Sequence, residues 1–79
     1  MKNMLIKYVE ALLIAAQKRK TSQGVKIYEM ALEQLRIADS ESSVMDVLSR
    51  LKAALQGIET HGFFPPDEYS IVEKIKDLP

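Results

Sequence analysis

Apolar residues return every three or four positions along most of this chain, and short polar breaks divide them into four blocks. The blocks cover residues 5–16, 25–37, 44–58 and 69–78, and the third has the most regular spacing. A repeat of three and four is the period of an amphipathic helix, so the pattern predicts four helices. The last of them, at about eleven residues, is too short to persist without packing against the others.

The breaks carry signals for where the middle helices begin. Thr21 and Ser22 lie just before the second block, and either one is predicted to cap the second helix. Ser43, followed three residues later by Asp46, approximates a capping box and predicts that the third helix begins there. Asp46 also precedes Arg50 by four positions, the favourable order for an ion pair on an exposed helical face. These polar residues are therefore predicted to have structural roles.

The sequence between the third and fourth blocks marks a sharp corner. Gly62 can take the left-handed conformation that ends a helix, and a Pro-Pro pair at 65–66 suits a first helical turn, where the missing N–H is not needed. The acids at 67–68 then lie at the positive end of the last helix dipole. Gly57, inside the third helix, predicts either close approach by a neighbouring helix or a slight bend. The last two helices are therefore predicted to form a tight hairpin.

Nothing in the chain predicts a strand, because alternation of apolar and polar residues is absent and no Asn-Gly turn occurs. Four helices joined by short turns favour an antiparallel up-and-down arrangement. With 79 residues there is room for one domain with one modest core. The predicted fold is therefore all-α, a small antiparallel up-and-down four-helix bundle with a short last helix, formed by residues 1–79 as a single domain.

The chain contains no cysteine, which excludes disulfides, thiolate metal sites and cysteine nucleophiles. Lys7 and Glu10 interrupt the first apolar block, and a basic triplet at 18–20 stands where a signal peptide would need small residues. No uncharged stretch approaches the roughly 20 residues that span a bilayer. We therefore expect a protein of the cytoplasm.

The formal net charge of zero conceals an uneven distribution along the sequence. Residues 1–20 carry five bases and one acid, a balance of +4, whereas residues 39–79 carry eight acids and four bases, a balance of −4. One interpretation is that a basic helix packs beside acidic ones, in surface pairs that contribute about 0–1 kcal/mol each. The other is that Lys18, Arg19 and Lys20 form a basic patch that steers the protein to an anionic surface, with at most peripheral membrane contact.

Neither catalysis nor metal binding is predicted. The only histidine, His61, lies in the last turn of the third helix, where its cationic form would complement the helix dipole. Glu59, two residues away, would point in a different direction on a helix, so a Glu/His metal pair lacks the required spacing. No Gly-x-Ser-x-Gly elbow surrounds a serine, and the glycines stand alone, without a phosphate-binding loop. We therefore expect no enzymatic activity, no cofactor and no bound metal.

A DNA-binding helix-turn-helix could be imagined with its turn at residues 21–24, but the charge of the following helix argues against it. That helix carries as many acids as bases, namely Glu29, Glu33, Lys26 and Arg36. Such a helix offers no net attraction to phosphates. No nucleic-acid partner is predicted, and a DNA-binding regulator is the weakest of the functional alternatives.

Phe63 and Phe64 adjoin at the corner, and two interpretations of them remain open. At least one ring is predicted to fill the gap between the last two helices. The other ring either packs in the core as well or is an exposed anchor of the kind that dominates interface energetics. Three methionines, Met4, Met30 and Met45, are predicted to fill gaps in the core.

The C-terminal half also resembles a known protein family. From Leu48 to Phe64 the chain reads Leu-x-x-Leu-x-x-Ala-Leu-x-x-Ile-x-x-His-Gly-Phe-Phe, and from Tyr69 to Leu78 it reads Tyr-x-x-Val-x-x-Ile-x-x-Leu. This run resembles the last helical hairpin of the small bacteriocin immunity proteins of Gram-positive bacteria, the enterocin A immunity group. The resemblance implies a cytosolic, non-enzymatic four-helix bundle that protects the producing cell against its own pore-forming antimicrobial peptide.

The resemblance further implies a partner, namely a membrane sugar-transport receptor with the bacteriocin bound to it. Specificity would lie largely in the C-terminal half. The predicted partner-binding residues are His61, Phe63, Phe64 and Tyr69, together with the basic patch of Lys18, Arg19 and Lys20. The alternative is a small accessory or regulatory protein, of phage or mobile-element type, that binds one protein partner through a helical face and can self-associate.

Overall fold

A computed structural model describes residues 1–19, 24–62 and 64–79, and in these residues it contains four α-helices and no strand. The helices are α1 (Lys2–Lys18), α2 (Val25–Ile37), α3 (Glu41–His61) and α4 (Pro66–Lys76). The predicted all-α class and the four predicted helices are therefore confirmed.

The apolar stripes that predicted the helices also form the core. The most deeply buried apolar side chains come from all four helices and are Leu5, Val9, Leu12, Ala16, Tyr28, Leu35, Leu48, Leu55, Val72 and Ile75. Full burial of a side chain of leucine size contributes about 1.5–3 kcal/mol, so these stripes supply most of the driving force for folding. The radius of gyration is 11.7 Å, close to the roughly 11.6 Å expected of a compact chain of this length.

Helix α1 lies centrally, because it packs chiefly against α2 and α4 and also contacts α3. At its start, Lys2 Nζ donates a hydrogen bond to the carbonyl of Ala38, just beyond the end of α2, at 2.7 Å. At its other end, the Arg19 guanidinium binds Glu68 in the first turn of α4. Helix α1 is therefore antiparallel to both α2 and α4, as the predicted up-and-down bundle requires.

Helix α3 begins earlier than predicted. Ser40, not Ser43, is its N-cap, and the Ser40 Oγ accepts a hydrogen bond from the Ser43 backbone N–H at 3.1 Å. The prediction of a capping box at Ser43 and Asp46 is wrong because Ser40 already offers a cap oxygen three residues upstream. Glu41 then lies in the first turn, where its charge complements the helix dipole.

The prediction made from Gly62 is also wrong, and one of the two alternatives predicted for Gly57 is excluded. Gly62 ends α3 in an extended conformation, with φ −146° and ψ −152°, and does not take the left-handed one. At Gly57 an added Cβ would meet nothing within 4 Å, so no neighbouring helix approaches it closely.

The left-handed glycine lies at the start of α2 instead. Gly24 has a φ of 81° and is the N-cap of that helix. A Cβ added there would lie 2.9 Å from ring atoms of Tyr28, so the ring packs directly on the glycine. The predicted caps Thr21 and Ser22 lie outside the described residues.

Candidate partner-binding surfaces

The predicted basic patch contains a residue that is already engaged within the fold. Arg19 Nη2 donates to Glu68 Oε1 at 2.9 Å, and Arg19 Nε lies against Glu68 Oε2. The Glu68 side chain is fully buried, whereas the Arg19 side chain keeps 26% of its surface exposed. A buried carboxylate requires a paired cation, so Arg19 neutralises Glu68 and is not a free charge for an anionic partner. Lys18 is exposed, and Lys20 lies outside the described residues.

Tyr28 completes a polar cluster at this end of the bundle. Its side chain is buried, and burial together with the nearby Glu68 carboxylate raises the pKa of Tyr28 to about 12, although Arg19 acts in the opposite direction. Arg19, Glu68, Tyr28 and Gly24 all lie at helix ends, and we call them the bundle-end cluster. Within this cluster the Arg19–Glu68 pair joins α1 to α4, and Tyr28 at the start of α2 lies close enough to both charges to feel their fields.

The burial of Glu68 was not predicted, although the sequence contains a signal for it. Glu68 lies four residues before Val72 and seven before Ile75, so it shares the buried stripe of α4. The prediction chose Tyr69 as the first member of that stripe. Tyr69 lies three residues before Val72 but on the outer edge of the stripe, and it is 39% exposed.

The two phenylalanines at the corner have different outcomes. Phe64 is buried and belongs to the core, which confirms the prediction that at least one of the two rings packs inside the fold. It is therefore removed from the candidate contact surface. Phe63 lies outside the described residues.

Tyr69 lies in a charged surface formed by α3 and α4. Lys76 Nζ binds Glu59 Oε2 at 3.0 Å, which ties the end of α4 to α3. The carboxylates of Glu59 and then Glu73 raise the pKa of Tyr69, and the hydrogen bond to Glu59 raises the pKa of Lys76. We call these four residues the α3/α4 surface. His61 is also exposed, in the last turn of α3, two residues beyond Glu59.

A second surface, which was not predicted, is an apolar groove between α2 and α3. It has a volume of about 200 Å³ and is lined by Ile27, Met30, Ala31 and Gln34 of α2 and by Val47, Arg50, Leu51 and Ala54 of α3. Pockets that take drug-sized ligands have roughly 300–1,000 Å³, so this α2/α3 groove suits a few side chains of a macromolecule better. A shallower hollow continues it toward Ile37 and Asp46.

Two of the three methionines predicted to lie in the core are exposed. Met30, beside the α2/α3 groove, is 60% exposed, and Met4 on α1 is 48% exposed, so the prediction that both fill the core is wrong. Met4 and Met30 each precede a core residue, Leu5 and Ala31, by one position, which turns them away from the interior. Met45 does pack against the core.

The predicted ion pair between Asp46 and Arg50 is not among those formed by the described residues. Those pairs join Arg19 to Glu68, Arg36 to Glu10, and Lys76 to Glu59. Arg50 lines the α2/α3 groove and Asp46 lines the hollow that continues it, and neither forms an ion pair within this part of the chain.

The described residues contain no group of three or more His, Cys, Asp or Glu side chains that could hold a metal ion. None of the helices in this part of the chain combines the length and hydropathy that crossing a bilayer requires. Comparison with the models of known protein families, with curated proteins and with solved structures found no match.

Proposed function

We propose that this chain is a non-catalytic cytoplasmic protein that protects a bacteriocin-producing cell. In this proposal it binds a pore-forming bacteriocin in complex with a membrane sugar-transport receptor. The support is the resemblance of residues 48–78 to the last hairpin of the immunity proteins, together with the four-helix bundle, which is the fold that this resemblance implies.

The observation that carries the proposal is the exposure of Tyr69 in the α3/α4 surface. Residues that dominate interface energetics are enriched in tyrosine and lie within a ring of more polar contacts. Tyr69 is 39% exposed, and Glu59, Glu73 and Lys76 surround it with charge. The α3/α4 surface thus has the composition of a small recognition site, in the half of the chain where the resemblance places specificity.

The experiment is a survival assay in a bacteriocin-sensitive strain that expresses the chain, with a panel of pore-forming bacteriocins. We expect the wild-type chain to protect against its cognate peptide and Tyr69→Ala to lose protection. Truncating a dominant interface residue costs about 2 kcal/mol or more of binding free energy, which is roughly a thirtyfold loss of affinity. Tyr69→Phe, which keeps the ring, should retain more protection than Tyr69→Ala.

Ile14→Ala is the matched control, because Ile14 is a comparably exposed side chain on α1, away from the α3/α4 surface. All variants should give the circular dichroism of the wild-type helices. Failure of the wild-type chain to protect against any peptide of the panel would contradict the proposal. It would leave the accessory or regulatory alternative, whose partner can be captured by pull-down from the native host.

A further inference from the structure

Helix α4 contributes fewer buried apolar side chains to the core than any other helix. Only Val72 and Ile75 of α4 are buried apolar residues, whereas α1 and α2 each bury four such residues and α3 buries five. The third buried position of α4 is occupied by Glu68. Because burial of apolar surface supplies most of the driving force for folding, α4 is attached by this force more weakly than the other three helices.

Glu68 adds less to the attachment of α4 than an apolar residue at the same position would. Its carboxylate loses hydration on burial, and the ion pair with Arg19 restores only part of that free energy. For this reason, replacement of a buried ion pair by apolar side chains is often neutral or stabilising. The Arg19–Glu68 pair therefore fixes where α4 packs on α1 more than it strengthens the packing.

The far end of this segment is also held by charged groups. Lys76 binds Glu59 of α3, and Lys52 of α3 donates a hydrogen bond to the backbone carbonyl of Leu78. The side chains of Lys76 and Glu59 are 34% and 26% exposed, so water and salt compete with their ion pair. Among the described residues, every side-chain hydrogen bond or ion pair that links residues 64–79 to another helix involves a charged group.

The chain changes character at the corner between Phe64 and α4. Phe64 is buried in the core, so the chain is anchored immediately before Pro65 and Pro66. Helix α4 has 11 residues, fewer than the roughly 12–15 at which even an isolated helix of favourable sequence becomes marginally stable. Residues 66–79 would therefore lose their helix if they separated from the rest. Helices α1, α2 and α3 each contact the other two and keep the remaining buried apolar stripes.

We propose that residues 66–79, which we call the α4 segment, form a separate cooperative unit that undocks and unfolds while α1, α2 and α3 stay folded. Undocking takes the α3/α4 surface apart, because Glu59 of that surface belongs to α3 and its other three residues belong to α4. The opening of the α4 segment thereby regulates the recognition surface, a consequence that rests on the proposed function.

The first test is native-state hydrogen exchange of the purified wild-type chain, followed by NMR. We expect the backbone amides of residues 69–76 to share one protection factor, because they exchange through the same opening. This factor should be at least about tenfold lower than those of the Leu12 and Leu51 amides, in the middle of α1 and α3. The measurement uses the chain alone, so it tests the α4 segment even if the chain protects no cell against a bacteriocin.

The second test compares the same substitution in the two units. Val72→Ala weakens the docking of α4 and should accelerate exchange about tenfold both at residues 69–76 and at Leu12 and Leu51. Val47→Ala is the matched variant, because Val47 lines the α2/α3 groove and keeps its contacts when the α4 segment undocks. It should accelerate exchange at Leu12 and Leu51 by a similar factor and leave the rates of residues 69–76 unchanged.

The third test closes the opening with a covalent link. The chain has no cysteine, so Glu59→Cys combined with Lys76→Cys supplies two thiols. The native side chains at these positions meet at 3.0 Å, so a short bismaleimide can join the thiols within one molecule. Linking restricts the undocked state and should slow exchange of residues 69–76 at least about tenfold relative to the unlinked double variant. The unlinked variant should exchange faster than the wild-type chain, because it lacks the ion pair.

Three results would overturn the separate α4 segment. The first is a wild-type chain whose amides at residues 69–76 are as protected as those of Leu12 and Leu51. The second is a Val47→Ala variant that exchanges faster at residues 69–76 by the same factor as in the core, because the segment would then open only when the whole chain unfolds. The third is a covalent link between positions 59 and 76 that leaves the exchange rates of residues 69–76 unchanged.

Discussion

The bundle-end cluster contains one acid and one arginine, and so does the α2/α3 groove together with the hollow beside it, yet these residues form an ion pair only in the cluster. In the cluster, Glu68 is fully buried and Arg19 binds it, with Tyr28 packed nearby. At the groove, Asp46 and Arg50 lie on exposed positions of α3 and form no ion pair with the described residues. The Arg19–Glu68 pair holds two helices together, whereas the side chains of Asp46 and Arg50 are accessible to another molecule.

The difference follows from where each acid lies relative to an apolar stripe. Glu68 occupies the stripe that α4 turns toward the core, so its charge must be neutralised inside the fold. Asp46 lies on the outer side of α3, next to the buried Val47, and water solvates it without a partner. An acid is therefore structural in one region and solvated in the other because of its position relative to the buried stripe of its helix.

The largest expected effect is the loss of Arg19. Arg19→Ala leaves the Glu68 carboxylate buried without its cation, and removing one partner of a buried pair costs about 3–5 kcal/mol. We expect the lower end of this range, because water reaches the exposed part of Arg19. Urea denaturation should show the loss as a lower midpoint. Arg50→Ala at the groove should change the free energy of unfolding by less than about 0.5 kcal/mol.

A double variant sharpens this comparison. Arg19→Met combined with Glu68→Leu replaces the pair by apolar side chains, and such replacements are often neutral or stabilising. We therefore expect the double variant to recover most of the stability that Arg19→Ala loses. Equal destabilisation by Arg19→Ala and Arg50→Ala would refute the distinction between the two regions.

The next effect is a fall in stability at high pH that originates in the bundle-end cluster. The pKa of Tyr28 is raised from 10.0 to about 12 in the folded chain, so the folded state holds this proton over a pH range in which the unfolded state has lost it. The associated stabilisation is fully present below pH 10 and is lost as the pH rises to about 12, at about 1.4 kcal/mol per pH unit.

Denaturation at several values of pH in this range measures the effect, and ultraviolet absorbance should show one tyrosine that ionises late. Tyr28→Phe should remove the late ionisation and reduce the slope of stability against pH. A slope unchanged in Tyr28→Phe would mean that other groups, such as lysines, cause the whole decline.

Sequence periodicity predicted the four helices correctly because burial of apolar stripes dominates the folding of a small bundle. It predicted neither the Arg19–Glu68 pair nor the α2/α3 groove. The pair joins residues 49 positions apart, and only the packing of α1 against α4 brings them together. The groove depends on which of two apolar stripes α2 buries, and Met30 belongs to the one that remains outside. The start of α3 was missed for a local reason, since several serines compete to cap it.

The smallest effects are those of two glycines, and they are expected to have opposite signs. Gly24→Ala should lower the free energy of unfolding by about 1–2 kcal/mol, because a left-handed residue other than glycine is strained. The new Cβ would also lie 2.9 Å from the buried Tyr28 ring. Gly57→Ala, which meets nothing within 4 Å in α3, should raise the free energy of unfolding by about 0.5–1 kcal/mol.

Thermal denaturation separates the two glycine variants, since each kcal/mol shifts Tm by about 4–8 °C in a domain of this size. Tm should fall for Gly24→Ala and rise for Gly57→Ala, because the first glycine is packed within the bundle-end cluster and the second is in open space. If Gly24→Ala left Tm unchanged, Tyr28 would not be fixed against the start of α2. The bundle-end cluster would then be a looser arrangement than its buried ion pair requires.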